Sequence, residues 1–487
     1  MRKLSGLAVV VLVVLAGCSS MPGFADQPPG STPQAGTGGA AGAPGAPPDP
    51  PGDRIGWEDG VWYNESIPVT NDDGLNASER ELVVARTEAR VERVRHEEFK
   101  RSVPITIVSR QEYRNRSRTS YSAAFRTFDN AKFEALFMIG EDRDSLAVQH
   151  QNRGSNVLAY YDTHNDTITL ISSGGQPRID SESTLAHELT HALQDQYHNL
   201  SALQAPTRDG HNGLNGLIEG EAHLVDLEYK RHCGHDWQCV SGGGSGAGSM
   251  ADLNVGVYLL NFFPYASGPQ FVQYLHDHGG WAAVDRAFDD PPESAEQVIY
   301  PEKYVNRDSP TTVSLPAAPG GGWERVRPDA PEPGQHRPAY ATLGQSGLSA
   351  MFAYTAFVQG YRPSIVSANQ LFTGDQFHPY NYDFPSTKGW EGDRLAVYRN
   401  PAAGANESAY VWRLAWQSPA DAREFADTYR ELLRFWGAQS VDGHPNAYRI
   451  PEGTGGFADA FRVTRSGDTV TITNAPTVSD LSAFPSG

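Results

Sequence analysis

Lysine is nearly absent from this chain, with 6 residues in 487 against 33 arginines. Acidic residues outnumber basic ones 58 to 39, for a formal charge of −19. A surface of that sign repels phosphate backbones, which excludes nucleic acid as a partner. Cysteine is as scarce: Cys18, Cys233 and Cys239 are the only three, too few for a disulfide-built scaffold. Long apolar runs are missing too. The run from Leu7 to Leu15 falls short of the roughly 20 residues a membrane span needs. No later segment is apolar enough to span, and no internal repeat is visible.

Arg2 and Lys3 precede that run, and small residues follow it at Ala16 and Gly17. A basic start, a short apolar stretch and small residues at its end make a secretory signal. Leu15-Ala16-Gly17-Cys18 resembles the lipobox of prokaryotic lipoproteins. The resemblance implies removal of residues 1–17, lipid on Cys18, and anchoring to the outer face of the cell membrane. The alternative is a plain signal peptide with an incidental cysteine. Residues 18–55 are mostly Gly, Pro, Ala and Ser and lack the apolar surface to offset ordering entropy. They read as a disordered tether. An acidic, lysine-poor composition that is still 39% hydrophobic resembles that of extremely halophilic archaea, though an ordinary acidic secreted protein can share it. Sequons at Asn64, Asn76, Asn115, Asn165, Asn199 and Asn406 fit a surface glycoprotein.

The remainder divides by pattern into residues 56–335 and 336–487. In the first part a helix is expected over 77–99, capped by Asn76 or Ser78, then a strand in "VPITIVSRQEY". "NVLAYYDTHNDTITLISS" is a hairpin turning at His164-Asn165-Asp166,. A helix capped by Asp180, Ser181 or Ser183 follows, then a second one in "LNGLIEGEAHLVDLEYKRH",. Three more helices are expected at 268–278, 281–288 and 346–358, with a Pro/Gly-rich break at 316–338. The second part alternates strands around one amphipathic helix and closes on a hairpin, making a small α+β module of unknown role.

The chemistry is concentrated in "TLAHELTHALQDQYHNL". Four helical residues turn about 400°, so His187 and His191 face one way and two imidazoles can hold one zinc ion. Glu188 can then serve as general base to a water. Asp195, four residues after His191, is a candidate to orient a ligand imidazole. The third ligand comes from Glu219 or Glu221, which are about 200° apart on a helix, so only one can face the metal. The Glu219 face also carries Ala222 and Asp226, a small residue and a second supporting carboxylate, and is favoured. Gly220 costs about 1 kcal/mol in a helix interior, which close helix packing would explain. Cys233 and Cys239 close a short loop and are expected to be bridged, with a second zinc site involving His232 and His235 as the alternative.

Strand, edge hairpin, HExxH helix and glutamate-bearing helix together resemble the zincin metallopeptidases of the glutamate-ligand class, the gluzincins. "AHELTHAL" is close to the thermolysin-like motif, and Glu219-Gly220 resembles the ligand pair of several such families. The longer set "HELTHALQDQ", "LIEGEA", "FFPYASGPQFVQYL" and "PPESAEQVIYPEKY" resembles prokaryotic surface proteins with peptidase-like sites, over roughly residues 75–310. The resemblance implies an α+β zincin-like core: an edge hairpin and sheet, an active-site helix and a helical subdomain. It also implies one Zn²⁺ on His187, His191 and Glu219, Glu188 as base, and a peptide or protein substrate. The family's oxyanion-stabilising histidine has no evident counterpart; His276, His278, Tyr300 and Tyr304 are the candidates. The expected activity is therefore a cell-surface zinc-dependent peptidase, a hydrolase. One rival is a non-catalytic surface or envelope lipoprotein retaining the fold. Another is a structural lipoprotein whose working part is the C-terminal module.

Overall fold

The computed structural model describes residues 50–485 apart from 51, 71–73, 117–120, 173–178, 180, 241–252, 331–336, 359–362, 376–377, 403–406 and 454–455. The proposed signal, Cys18, nearly all of the tether, Asp180 and Asn406 lie outside the described residues. The chain is mixed α+β. A short hairpin, β1 (Trp57–Glu58) and β2 (Val61–Trp62), leads into α1 (Ala77–Arg95). Asn76 caps this helix: its side chain accepts from the Glu79 amide, and the Glu79 carboxylate accepts from the Asn76 amide,. Then come β3 (Ile105–Ser109), α2 (Arg110–Arg116), α3 (Ala123–Ala135), α4 (Ser145–Asn156), β4 (Ala159–Asp162) and β5 (Thr167–Ser172). The sheet order is β3-β5-β4, with β3 parallel and β4 antiparallel to β5. Asp166 makes the turn between β4 and β5 with a φ of 50°. Among the described residues the outer edge of β4 carries no further strand.

α5 (Glu182–His198) packs beside β4, and α6 (Arg208–His232) packs across α5. α7 (Val255–Gly279) lies against the other side of α6, and α8 (Trp281–Asp289), α9 (Ala295–Ile299) and α10 (Pro301–Val305) close that subdomain. α7 starts well before the expected 268 because its first half is apolar nearly all round, a pattern with no helical stripe to read. Gly220 of α6 faces Gly268 of α7. A Cβ there would lie 2.4 Å from the Gly268 carbonyl oxygen, and one on Gly268 would lie 2.4 Å from that of Gly216. The close approach that Gly220 permits is therefore with α7, not with the HExxH helix.

The last part begins with β6 (Glu324–Arg325), α11 (Gly344–Tyr354) and α12 (Ala368–Leu371). It continues through β7 (Trp390–Arg399), β8 (Ser408–Trp416), α13 (Pro419–Phe435), β9 (Gln439–Ser440), β10 (Ala447–Arg449), β11 (Ala460–Ser466) and β12 (Thr469–Ala475). Its strands form one antiparallel sheet in the order β6-β7-β8-β12-β11-β10-β9, with α13 across one face. This sheet draws its first strand from before residue 335. The largest core also runs across that point, joining Leu217 and Phe263 to Trp390, Trp412 and Tyr429. A second core of α1, β4, β5 and α5 includes Val225 and Tyr229 from the end of α6. α6 therefore bridges both cores, with Glu219 near the junction. Among the described residues no helix is long and apolar enough to cross a membrane.

Candidate metal centre

α5 is held at its first turn by charge rather than by a side-chain cap. Ser181 is the N-cap residue but makes no capping bond. Glu182 is instead buried and accepts from Arg86 (2.8 Å), Arg90 (2.6 Å), the Tyr229 hydroxyl (2.6 Å) and the Val240 amide (2.6 Å). A buried carboxylate with four donors has its desolvation met in full, and a negative group suits a helix N-terminus. α1 and the end of α6 are thereby locked to the start of the HExxH helix.

One turn further on, three donor atoms converge. His187 Nε2 and His191 Nε2 are 3.1 Å apart, and Glu219 Oε2 lies 3.3 Å from the first and 3.4 Å from the second. Ligands at about 2.0–2.1 Å from a tetrahedral zinc ion are roughly 3.3 Å from one another. The triangle thus has the edge lengths of one face of a zinc tetrahedron, and the donor set is one zinc favours. All three residues are at most 2% exposed. Burial raises the Glu219 carboxyl, but the neighbouring His191 and hydrogen bonds from both imidazoles outweigh it and hold it at about 2.

The supporting partners differ from those expected. His191 Nδ1 is 2.9 Å from Gln194 Oε1. An Nδ1–H donated to that oxygen fixes the ring's orientation, with Nε2 facing the triangle. Gln194 in turn donates to the Ile218 carbonyl at 2.9 Å and to Glu221 at 3.0 Å, while Glu221 is paired with Arg95. Glu221 thus faces away from the histidines and helps fix the residue that orients one of them. Asp195 does not take that part. It accepts from the Tyr161 hydroxyl (3.0 Å) and the Leu200 amide (2.7 Å), closing the end of α5. Helical side chains reach back toward the N-terminus, and glutamine, one methylene longer than aspartate, is the one that reaches His191. Asp226 lies beside His187 and accepts from Lys230 at 2.8 Å, with its other oxygen buried and, among the described residues, without a partner.

Glu188 is fully buried, and among the described residues neither carboxylate oxygen has a hydrogen-bond partner within normal bonding distance. Burial raises its pKa, and the neighbouring His187 and His191 only partly offset this. An orphaned buried carboxylate beside a ligand triangle fits a group that meets a water or a substrate.

None of the four oxyanion candidates is at this centre. Tyr300 donates to Asp383 and accepts from Gln345, and Tyr304 donates to the Asp290 carbonyl. His278 donates to the Tyr274 carbonyl, and the His276 ring stands against Trp281. For the two histidines the reason is axial distance: α7 meets the centre at Tyr265, whose ring stacks on His187, and 11 residues of helix carry His276 about 16 Å further on. Three neighbours went unread in the sequence. His223, one turn after Glu219, has a ligand atom within 4.8 Å of those on His187 and Asp226 and keeps 20% of its side chain exposed. Asn215 and His211 lie one and two turns before Glu219, with Asn215 Nδ2 2.8 Å from His211 Nε2. The signal for all three was the i, i+4 spacing from Glu219.

Cys233 and Cys239 are joined by a disulfide, and the second-zinc alternative is not drawn. Trp237 within that loop stacks on His232 and meets Tyr229 edge-on. Asn64, Asn76, Asn115, Asn165 and Asn199 are exposed.

Residues 329–484 match the profile of a domain of unknown function, DUF8575, which covers the C-terminal sheet from β7 onward and leaves the triangle outside it. No curated protein and no solved structure matches the chain.

Proposed function

We propose that this chain is a zinc-dependent peptidase of zincin-like architecture, with His187, His191 and Glu219 as ligands and Glu188 as general base. The observation that carries the reading is the triangle of 3.1, 3.3 and 3.4 Å beside an unpartnered carboxylate. When bound, zinc polarises a carbonyl and lowers the pKa of a water to about 7. Glu188, its pKa raised by burial, is suited to take a proton from such a water and return it to the leaving amine. Gln194 holds the His191 ring in place. The open edge of β4 suits an extended peptide, which pairs by main-chain hydrogen bonds. His223 is the partly exposed polar group nearest to the role sought at His276 and His278. With lipid on Cys18, the enzyme would act at the outer face of the membrane.

The test uses the mature chain, measuring bound metal and hydrolysis of a mixed peptide library. Glu188→Gln should keep one zinc per chain and lose about 10²–10⁴-fold in turnover, whereas His191→Ala should lose both. Full activity in Glu188→Gln would sink the mechanism. A second reading, a surface binding lipoprotein that keeps the metal site without turnover, is favoured by the near-complete burial of all four residues. Bound zinc with no hydrolysis of any library member would select it.

A further inference from the structure

A separate group of oxygen ligands lies at the far end of α1. Asp53, Glu58 and Glu98 each bring one carboxylate oxygen to within 4.8 Å of the others. They come from three segments: the stretch before β1, β1 itself, and the loop after α1. Glu92 stands beside them, its two oxygens already accepting from the Gly56 and Phe99 amides, both at 2.9 Å. Glu58 is only 6% exposed; it shares a hydrogen bond with Glu92, as Glu98 does with Asp53, yet among the described residues Oε1 of Glu58 and Oε1 of Glu98 are buried with no hydrogen-bond partner. The charges acting on Glu58 are Glu92, Glu88 and Asp53, and those acting on Glu98 are Glu92 and Asp53, all of them carboxylates.

Carboxylates gathered out of water without a cation are costly. With no ion present, burial and these neighbours push Glu58 up to about 10 and Glu98 to about 7. The zinc centre does not account for them, since they lie outside the triangle and share none of its residues. An all-oxygen set excludes metals that select nitrogen or sulfur and suits hard cations. Two oxygens on opposite sides of a calcium ion, each 2.3–2.6 Å from it, are about 4.6–5.2 Å apart, which accommodates the observed spread.

We propose that Asp53, Glu58 and Glu98 bind a hard divalent cation of the calcium type. The ion would tie the chain's entry into the fold to the end of α1. Glu92 reinforces that junction through the Gly56 and Phe99 amides. Because Arg86 and Arg90 of the same helix hold Glu182, the site supports the placement of α5 without touching the zinc ligands.

The test is calcium titration of the full mature chain after treatment with a calcium-selective chelator, read by thermal unfolding. A second readout is terbium luminescence sensitised through Trp57, the neighbour of Glu58. Wild type should show saturable single-site terbium emission and a melting temperature higher by about 3 °C at about a hundredfold excess of calcium over its Kd. Glu98→Gln, which removes a repelling charge from a half-buried position and should fold, should lose about tenfold or more in affinity. Glu58→Gln should abolish the response. Glu141→Gln, in the other acidic group formed by Glu134, Glu141 and Asp459, should leave it intact. The proposal fails if neither readout saturates. It fails equally if both Glu58→Gln and Glu98→Gln respond like wild type, which would mean diffuse binding to an acidic surface. Loss of the response in Glu141→Gln alone would also overturn it.

Discussion

Gly220→Ala puts the contact between α6 and α7 to a quantitative test. A Cβ at residue 220 would meet the Gly268 carbonyl oxygen at 2.4 Å and its carbon at 2.5 Å. Carbon normally approaches a carbonyl oxygen no closer than about 3.3 Å, so the helices must part by roughly 0.9 Å. Both obstructing atoms are backbone, and no rotamer change relieves them. Alanine gains about 1 kcal/mol over glycine in helix propensity, whereas overpacking costs about 1–3 kcal/mol and more where backbone must move. The balance is a destabilisation of about 1–2 kcal/mol. α6 lies between α5 and α7, so the displacement is carried to Glu219, the adjacent residue, whose carboxylate sits 3.3 and 3.4 Å from the two imidazoles. A shift near 1 Å removes that spacing, and zinc affinity should fall about tenfold or more. Denaturant unfolding of the full chain at fixed metal reads the first effect, and zinc competition against a chromogenic chelator reads the second. If Gly220→Ala instead stabilises the protein by about 1 kcal/mol, as an unconfined helix glycine would, the account of this contact is wrong.

Gln194→Leu should weaken zinc binding by about 10–100-fold, as expected for loss of a partner that orients a ligand histidine. Asp195→Asn should leave metal affinity unchanged, so equal losses in the two variants would contradict the assignment. Replacing Cys233 and Cys239 together by serine should cost about 2 kcal/mol by the loop-entropy model for a six-residue separation,; an unchanged unfolding midpoint would count against it. Burial, and then the charge of Arg208, push His211 down to about 3, from 6.5 in the unfolded chain. Its contribution to stability is therefore complete above pH 6.5 and is lost as pH falls from 6.5 toward 3. His211→Gln should flatten that acid limb by one proton's worth of slope, and an unaltered slope would show that the histidine is not held neutral.

The local features of the centre were legible in the chain itself. Helical rotation alone puts His187 and His191 on one face, and a separation of two residues forbids Glu219 and Glu221 from pointing the same way. The β4–β5 hairpin, α5 and α6 announce themselves through period and turn residues, because their apolar stripes are the faces they bury. What lay beyond the sequence was every relation between segments distant along the chain. Gln194 rather than Asp195 serves His191 because the carboxamide is also anchored by Ile218 and Glu221 of another helix. His276 and His278 were plausible by type, but the rise along α7 carries them away from the point where that helix meets the centre. Glu182 takes the place of a side-chain cap only because Arg86 and Arg90, 96 and 92 residues earlier, are folded against it. Asp53, Glu58 and Glu98 have no motif spacing at all. Hydrophobic period and turn chemistry act over a few residues, whereas the rotation and offset of packed helices are set by how whole faces interdigitate. The two histidines, Glu188 and the choice of Glu219 over Glu221 therefore belong to the sequence, and the partners that orient and bury them belong to the fold.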